Sequence, residues 1–480
     1  MKLTAFIPVV LMLAACPDRS ISSVVPQQQG AVLKHIPVSA DIDILFVIDN
    51  SASTADKQIL FANNFPKFVE KLDAFPTGRP NIHMAVVNTT VDIGVPGYGP
   101  GCPSPDPADN GVFQNTPRVT GCNPPNGQFI SDVKSTMTGL RTPNYTGTLD
   151  QAFSCIAQLG ATGCGFEAPL EAMKRALDGS RPENAGFIRN GAYLAVIFLT
   201  DEDDASVKDN AVFSLPDAQV GGRSDYRVQP LFAYKCDQPL STQAGTFTNC
   251  KPRTDSYLQD PSIYAQFLSG VKNPAQIVVA AIAAPPPGLM TNDNPSRTAD
   301  TNNIQIGSLP LNGTTQSPAL LPSCSTTINT KMAIGRPAVR LANFISNFGD
   351  RGRFYTVCQD DYSAALADIG NTLFNAISPC LEGPVDPTDV DAKRPGLQPQ
   401  CTVTEVLNAG TDMEVATQMP ACEMQDATTP AAGGARPCWW VDQNPTSCPA
   451  PDTGLEMNFE RTTDPAAGTA VQVECVVIPK

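Results

Sequence analysis

Two short stretches concentrate the oxygen-rich chemistry of the chain: Asp49-Asn50-Ser51-Ala52-Ser53 and Thr200-Asp201-Glu202-Asp203-Asp204. Each follows an apolar run, Ile44 to Ile48 and Leu194 to Leu199, too short for a helix and continuous enough for a strand buried on both faces. Carboxylates beside hydroxyls, with no His or Cys among them, form a donor set for a hard cation. Mg²⁺ is the first candidate, with Ca²⁺ or Mn²⁺ as alternatives. Serines two residues apart at the entry to a helix can turn both hydroxyls inward beside the preceding Asp. A plainer reading stands next to this one: Asp49, Ser51 and Ser53 are all good helix caps, and Asp201 to Asp204 could be a solvated acidic turn, Asp203 and Asp204 above all.

Other chemistries find less support. The chain has only 2 histidines; His35 falls in a polar N-terminal stretch and His83 inside a strand, so a Ser-His-Asp triad lacks a placed base. Asp41-x-Asp43 precedes its strand, where a phosphatase nucleophile would follow it. Gly163-Cys164-Gly165 lacks the third glycine and the preceding strand of a dinucleotide loop, and there is no G-x-x-x-x-G-K-[ST] motif. A formal net charge of −15, with no basic patch, excludes nucleic acid as a partner. The expectation is a binding protein and no enzyme. A structural envelope or assembly protein with a degenerate site is one alternative, a metal-assisted hydrolase another.

These residues need a scaffold, and the periodicity supplies one. Strands are expected at Ile44 to Ile48, Ile82 to Val87, Leu194 to Leu199, Ile277 to Ala283 and Phe354 to Val357. Between them lie helical patterns: Phe61, Phe65, Phe68 and Leu72, split at Pro66, then Leu149 to Leu159, Pro169 to Leu177, Tyr264 to Val271, Val339 to Phe348 and Tyr362 to Ile377. Strands alternating with helices predict a doubly wound, mostly parallel, Rossmann-like α/β sheet. In that architecture ligands bind beyond the carboxyl ends of strands at a topological switch point, where both acidic stretches fall. Insertions rich in Pro, Gly, Asn and Thr interrupt the pattern near 90–145, 205–256 and 284–330.

Asp49-x-Ser51-x-Ser53 after one buried strand, with Leu199-Thr200-Asp201 closing a later one, resembles the von Willebrand factor type A (VWA) domain and its metal-ion-dependent adhesion site (MIDAS). The resemblance spans about residues 41–377. It implies that Ser51 and Ser53 bind the metal directly, and Asp49 and Asp201 directly or through water. It also implies a threonine from a second loop, Thr162, with Thr146 or Thr148 as alternatives. Glu167 is a further carboxylate in that loop that could reach the metal or the layer behind it. One coordination position would stay open for an Asp or Glu carboxylate of a protein partner.

Lys2, the apolar run Leu3 to Ala15 and then Leu13-Ala14-Ala15-Cys16 resemble the lipobox of bacterial lipoproteins. This implies a signal peptide over 1–15, cleavage before Cys16, acylation of that cysteine, and a tether over 16–40 on the cell envelope, the outer membrane before the inner. Several acyl chains hold a protein on a bilayer without crossing it. Of 15 cysteines, the other fourteen are an even set in an exported chain, without C-x₂-C spacing, and read as disulfides. Sequence proximity suggests Cys102–Cys122, Cys155–Cys164, Cys236–Cys250 and Cys324–Cys358. Beyond the α/β domain at 41–378, residues 379–480 hold Cys380, Cys401, Cys422, Cys438, Cys448 and Cys475. They read as a small stapled β module, with strands near Leu455 to Phe459 and Val471 to Val477 hairpinned around Asp464 to Gly468. Trp439 and Trp440 are taken as core or β-surface residues of that module.

Overall fold

The computed structural model describes residues 31–36, 41–75, 78–93, 102, 109–135, 138–216, 233–294, 301–310, 316–381, 383–391, 393–407, 414–445, 448, 454–463, 465 and 469–478. Cys16, the expected signal peptide over 1–15 and most of the expected hairpin turn at 464–468 lie outside the described residues. No described helix is long and apolar enough to cross a membrane.

A seven-stranded sheet carries the site. Its strands are β1 (Ile42–Ile48), β2 (Ile82–Asn88), β3 (Ile130–Lys134), β4 (Arg141–Pro143), β5 (Tyr193–Leu199), β6 (Ile277–Ala283) and β7 (Gly352–Thr356), in the spatial order β7-β6-β5-β1-β2-β3-β4. The five strands from β7 to β2 run parallel; β3 and β4 continue the sheet antiparallel. The mostly parallel α/β expectation therefore holds. The antiparallel extension, lying within the first expected insertion, did not show in the hydrophobic pattern: Ile130-Ser131-Asp132-Val133-Lys134 buries only alternate residues, and half-buried edge strands give a weak signal.

The sheet is covered on both faces. Ile42, Ile44, Phe46 and Ile48 of β1 face α1 (Ala55–Asn64), α2 (Pro66–Asp73), α3 (Leu149–Ala157) and α7 (Ser363–Ile377). Leu45 and Val47 face α4 (Pro169–Leu177), α5 (Ser262–Val271) and α6 (Val339–Ser346). Period-two alternation sends successive side chains into opposite cores, which is why β1 reads as continuously apolar from Ile44 to Ile48. Pro66 stands at the first position of α2, where its missing N–H costs nothing, and it separates α1 from α2 as expected.

Two insertions fold together. Gly245–Phe247 pairs with Ile304–Pro310, which pairs with Gln316–Leu320, over a third core that includes Phe213, Tyr234 and Leu258.

All fourteen cysteines after Cys16 are paired. Cys236–Cys250 and Cys324–Cys358 agree with the expectation, but Cys102 joins Cys164 and Cys122 joins Cys155. The expected Cys102–Cys122 and Cys155–Cys164 pairs are thus exchanged. Cys155 lies inside α3 and Cys164 at the site loop, so the helix separates two cysteines that are close in sequence, and each finds a partner in the first insertion. The terminal module carries Cys380–Cys448, Cys401–Cys475 and Cys422–Cys438.

Two further differences concern that module. Leu455–Glu460 and Thr469–Val476 are strands, yet they do not pair as a hairpin: the first pairs with Cys438–Gln443, the second with Cys401–Leu407 and with Ala31–Ile36. Ala31–Ile36, read from sequence as part of a tether, is therefore an edge strand of the terminal sheet. Short alternating strands fix their faces locally, while their partners are chosen by whichever core they complete. Trp439 is buried in that core and its indole N–H donates to the Met419 carbonyl at 3.0 Å.

Candidate functional site

β1 and β5 are direct neighbours, with Ile48 opposite Leu199. The connection from β1 leads to β2 on one side while β5 lies on the other, so the strand order reverses between them. The Asp49 N–H donates to the Leu199 carbonyl at 2.9 Å, bringing the two acidic stretches side by side beyond the strand ends.

Each oxygen there is held. Asp49 Oδ1 accepts from the Ser51 N–H at 2.8 Å and Oδ2 from the Thr200 hydroxyl at 2.9 Å. The Ser51 and Ser53 hydroxyls lie 3.3 Å apart, and Ser53 Oγ donates to Asp201 Oδ1 at 3.0 Å, across 148 residues of sequence. Thr54 Oγ1 donates to the Asp49 and Ser51 carbonyls, both at 2.9 Å. Gln58 Nε2 spans from the Asp49 carbonyl (2.7 Å) to the Gly160 carbonyl (2.8 Å), locking the loop after β1 to the loop after α3. Asp49, Ser51, Ser53 and Asp201 thus form one contiguous oxygen cluster, with Ser53 at its exposed rim and the other three buried.

Asp49 is fully enclosed, and burial, reinforced by the negative charge of Asp201, pushes its carboxyl up to about 7 despite the hydrogen bonds from Ser51 and Thr200. Glu167 is also buried; burial and then the carboxylates of Glu202, Asp49 and Asp201 push it well above the ordinary range. Burial therefore disfavours the charged forms of Asp49 and Glu167. Two basic side chains lie at this edge among the described residues. Lys57 Nζ, on α1, donates to Asp201 Oδ2 at 2.7 Å and to the Ser53 carbonyl at 3.0 Å, with both members of the ion pair only 2% exposed. At the rim Glu202 pairs with Arg336, whose backbone N–H donates to the Asp201 carbonyl.

Thr162 lies on the loop beside the cluster, where the Gly163 N–H donates to the Asn50 carbonyl at 2.7 Å. Its own side chain is exposed, and no hydrogen bond to Asp49, Ser51, Ser53 or Asp201 is found for it among the described residues. Thr148 forms a capping box with Gln151 at the start of α3, and Thr146 is exposed. The carboxylate of this loop that faces the cluster electrostatically is Glu167. No group of three or more His, Cys, Asp or Glu side chains suited to a metal was found among the described residues; the clustered oxygens are two carboxylates and two hydroxyls.

The acidic turn is not solvated as expected. Asp203 accepts from the N–H groups of Arg340 and Leu341 at the start of α6 and from the Tyr234 hydroxyl. Asp204 pairs with Arg340 at 2.9 Å, both side chains fully buried. Asp203 and Asp204 brace the loop that presents Asp201. Lys57 was also missed, though it has a local signal: helical side chains lean towards the N-terminus, so a lysine four residues after Ser53 can reach back over the loop. Arg340 has no such signal, since it meets Asp204 across 136 residues.

His83 is remote from this edge. It sits opposite Asp43 in the register of β1 and β2, with Nδ1 2.8 Å from the Phe187 carbonyl. Asp43 itself is buried inside β1 and held by Arg189 Nε at 2.8 Å.

No protein-family model matches the chain, and no curated protein matches it. Overlays on solved structures cover 93% of it. They include the pilus adhesin SpaC from Lactobacillus rhamnosus GG in its open conformation (12% identity, TM-score 0.29, 40% of that chain). Others are the pilus adhesin RrgA from Streptococcus pneumoniae (10%, 0.20, 57%) and the adhesive tip pilin GBS104 from Group B Streptococcus agalactiae (10%, 0.22, 81%). The chain spans about two fifths of the length of SpaC. Overlap this slight supports no functional inference.

Proposed function

We propose that this chain is an envelope lipoprotein, anchored through Cys16, whose VWA-like domain binds a protein partner through a divalent cation held by Asp49, Ser51, Ser53 and Asp201. The observation that carries the reading is the hydrogen bond from Ser53 to Asp201, which unites the two sequence motifs at the switch point where α/β sheets place ligands.

The donor set suits the cation. Asp49 is a buried carboxylate with no basic side chain among its hydrogen-bond partners in the described residues, and uncompensated buried charge is costly. Hydroxyl and carboxylate oxygens match Mg²⁺, with Ca²⁺ or Mn²⁺ as substitutes. When bound, the cation would supply an open coordination position and reverse the local sign of a chain whose net charge is −15, which an acidic partner group needs. The protein's own part is orientation: Thr200 and the Ser51 N–H fix the Asp49 carboxylate, Gln58 fixes the loop, and Asp203 with Asp204 fixes the strand end behind Asp201. Glu167 adds negative charge behind the cluster, and Thr162 lies on the same loop. The partner would offer an Asp or Glu carboxylate, and the insertions would surround it.

A second reading has one observation in its favour. Lys57 already neutralises Asp201, as in a structural envelope protein whose site has lost its metal. Calorimetric titration with Mg²⁺ separates the two: the adhesion-site reading expects binding to the wild type that Asp49→Ala and Ser51→Ala abolish, and unchanged affinity in both variants refutes it. The anchor is tested separately by radiolabelled palmitate, which should label the wild type and not Cys16→Ala.

A further inference from the structure

We infer that Lys57 is a resident counter-ion that competes with the divalent cation for Asp201, and so sets the affinity of the site. The inference rests on the proposed cation site and concerns how that site is regulated.

The geometry is specific. The ammonium lies 2.7 Å from Asp201 Oδ2 and 3.0 Å from the Ser53 carbonyl. Asp201 Oδ1 is taken by the Ser53 hydroxyl, itself 3.3 Å from that of Ser51. Asp201 thus has both oxygens engaged by the very elements that would surround a cation. The ion pair is 2% exposed on each side, so water screens it weakly, and a removed partner would leave an uncompensated charge. An ammonium and a dication held against one carboxylate repel each other, and more strongly in a dry site than in water. Lys57 stands on α1, directly after the loop carrying Ser51 and Ser53, on a long flexible stem whose head can swing towards the exposed rim at Ser53.

Cation entry is therefore an exchange: Asp201 passes from Lys57 to the metal, and the ammonium moves to water. In the absence of metal Lys57 holds the loop after β1 against the loop after β5. An alternative role, in which Lys57 merely orients Asp201 for the cation and stays in place, predicts the opposite effect of removing it.

The test uses the chain with Lys57→Met, which keeps the length and apolar stem without the charge, and Lys57→Gln, which keeps a hydrogen-bond donor should the first variant fold poorly. Mg²⁺ affinity is measured by calorimetry alongside thermal unfolding with and without Mg²⁺. Competition predicts that both variants bind Mg²⁺ at least tenfold more tightly than wild type, about 1.4 kcal/mol, unfold at lower temperature without Mg²⁺, and gain more from its addition. If wild type binds and the variants bind equally or more weakly, Lys57 is an orienting residue and the inference falls while the cation site stands. If the variants bind and wild type does not, the inference is upheld and the wild-type site is not a Mg²⁺ site. If neither binds, both fall.

Discussion

Replacing Arg340 by Met should be among the most damaging single changes in the α/β domain. Arg340 is fully buried, yet it makes no contact with the oxygen cluster itself. Its Nη2 donates to Asp204 Oδ2 at 2.9 Å and to the Gln259 carbonyl at 2.7 Å, and its Nε donates to the Asp204 carbonyl at 2.8 Å. Methionine fills similar space but leaves the Asp204 carboxylate without its basic partner at 0% exposure and strips the buried Asp204 carbonyl and the half-buried Gln259 carbonyl of a donor. Breaking a buried pair from one side costs roughly 3–5 kcal/mol. For a domain of this size that lowers the melting temperature by about 10 °C. Asp204 keeps the Leu170 N–H and the Ser206 hydroxyl, so the lower end of the range is the better expectation. Urea unfolding at pH 7 measures the loss. Arg394→Met is the internal comparison, because the Arg394–Asp391 pair is 63% and 45% exposed and should contribute below about 1 kcal/mol. Arg340→Met with Asp204→Asn should recover part of the loss, since the charge left behind is removed. A loss from Arg340→Met no greater than that from Arg394→Met would overturn this account, and with it the idea that Asp203 and Asp204 brace the Asp201 loop.

Gly163→Ala should weaken stability, because a Cβ there would lie 2.2 Å from Asn50 Oδ1, the acceptor for Thr90 Oγ1. The expected cost is about 1–3 kcal/mol by urea unfolding, whereas Gly165→Ala, with nothing within 4 Å of its Cβ, should be near neutral, and equal effects would rule out the clash. Asp43 gives a pH test. Burial, against the charge and hydrogen bonds of Arg189, raises it from 3.8 to about 6. The folded state therefore holds its proton more tightly than the unfolded state, so stability from this group is full below about pH 4 and lost as pH rises through 6, by up to about 3 kcal/mol. Comparing unfolding free energies at pH 5 and pH 7.5, Asp43→Asn should lack this part of the wild-type slope; an identical slope in both would be the contrary result.

Much of the scaffold was legible because it is written in local periodicity. Pro169–Leu177 and Ile277–Ala283 have the expected bounds, and the buried strands β1 and β5 needed only their unbroken apolar runs. The meeting of the two stretches that carry Asp49, Ser51, Ser53 and Asp201 was legible for the same reason: each sits next to a strand whose end is marked in the sequence, and α/β architecture says where strand ends meet. Two strands of the terminal module, Leu455–Glu460 and Thr469–Val476, were visible as alternation, while their pairing was not, since alternation specifies a face and leaves the neighbour open.

The order of residues along the chain suffices for the class of the molecule: the number of thiols free to pair, the α/β alternation and the oxygen-rich strand ends. Relations between distant charges and thiols arise only on folding. Cys102 finds Cys164 instead of Cys122, and Arg340 finds Asp204. Lys57 closes on Asp201 across 144 residues; its helical spacing from Ser53 shows that it can reach back over the loop but does not name Asp201. The two ion pairs share one physical cause, while the disulfide needs only that folding bring two thiols within bonding reach. Burial makes an unpaired charge or an unsatisfied group expensive, so the fold must supply a partner, but which partner depends on where chain ends, insertions and helix faces converge in space. Local periodicity carries none of that information.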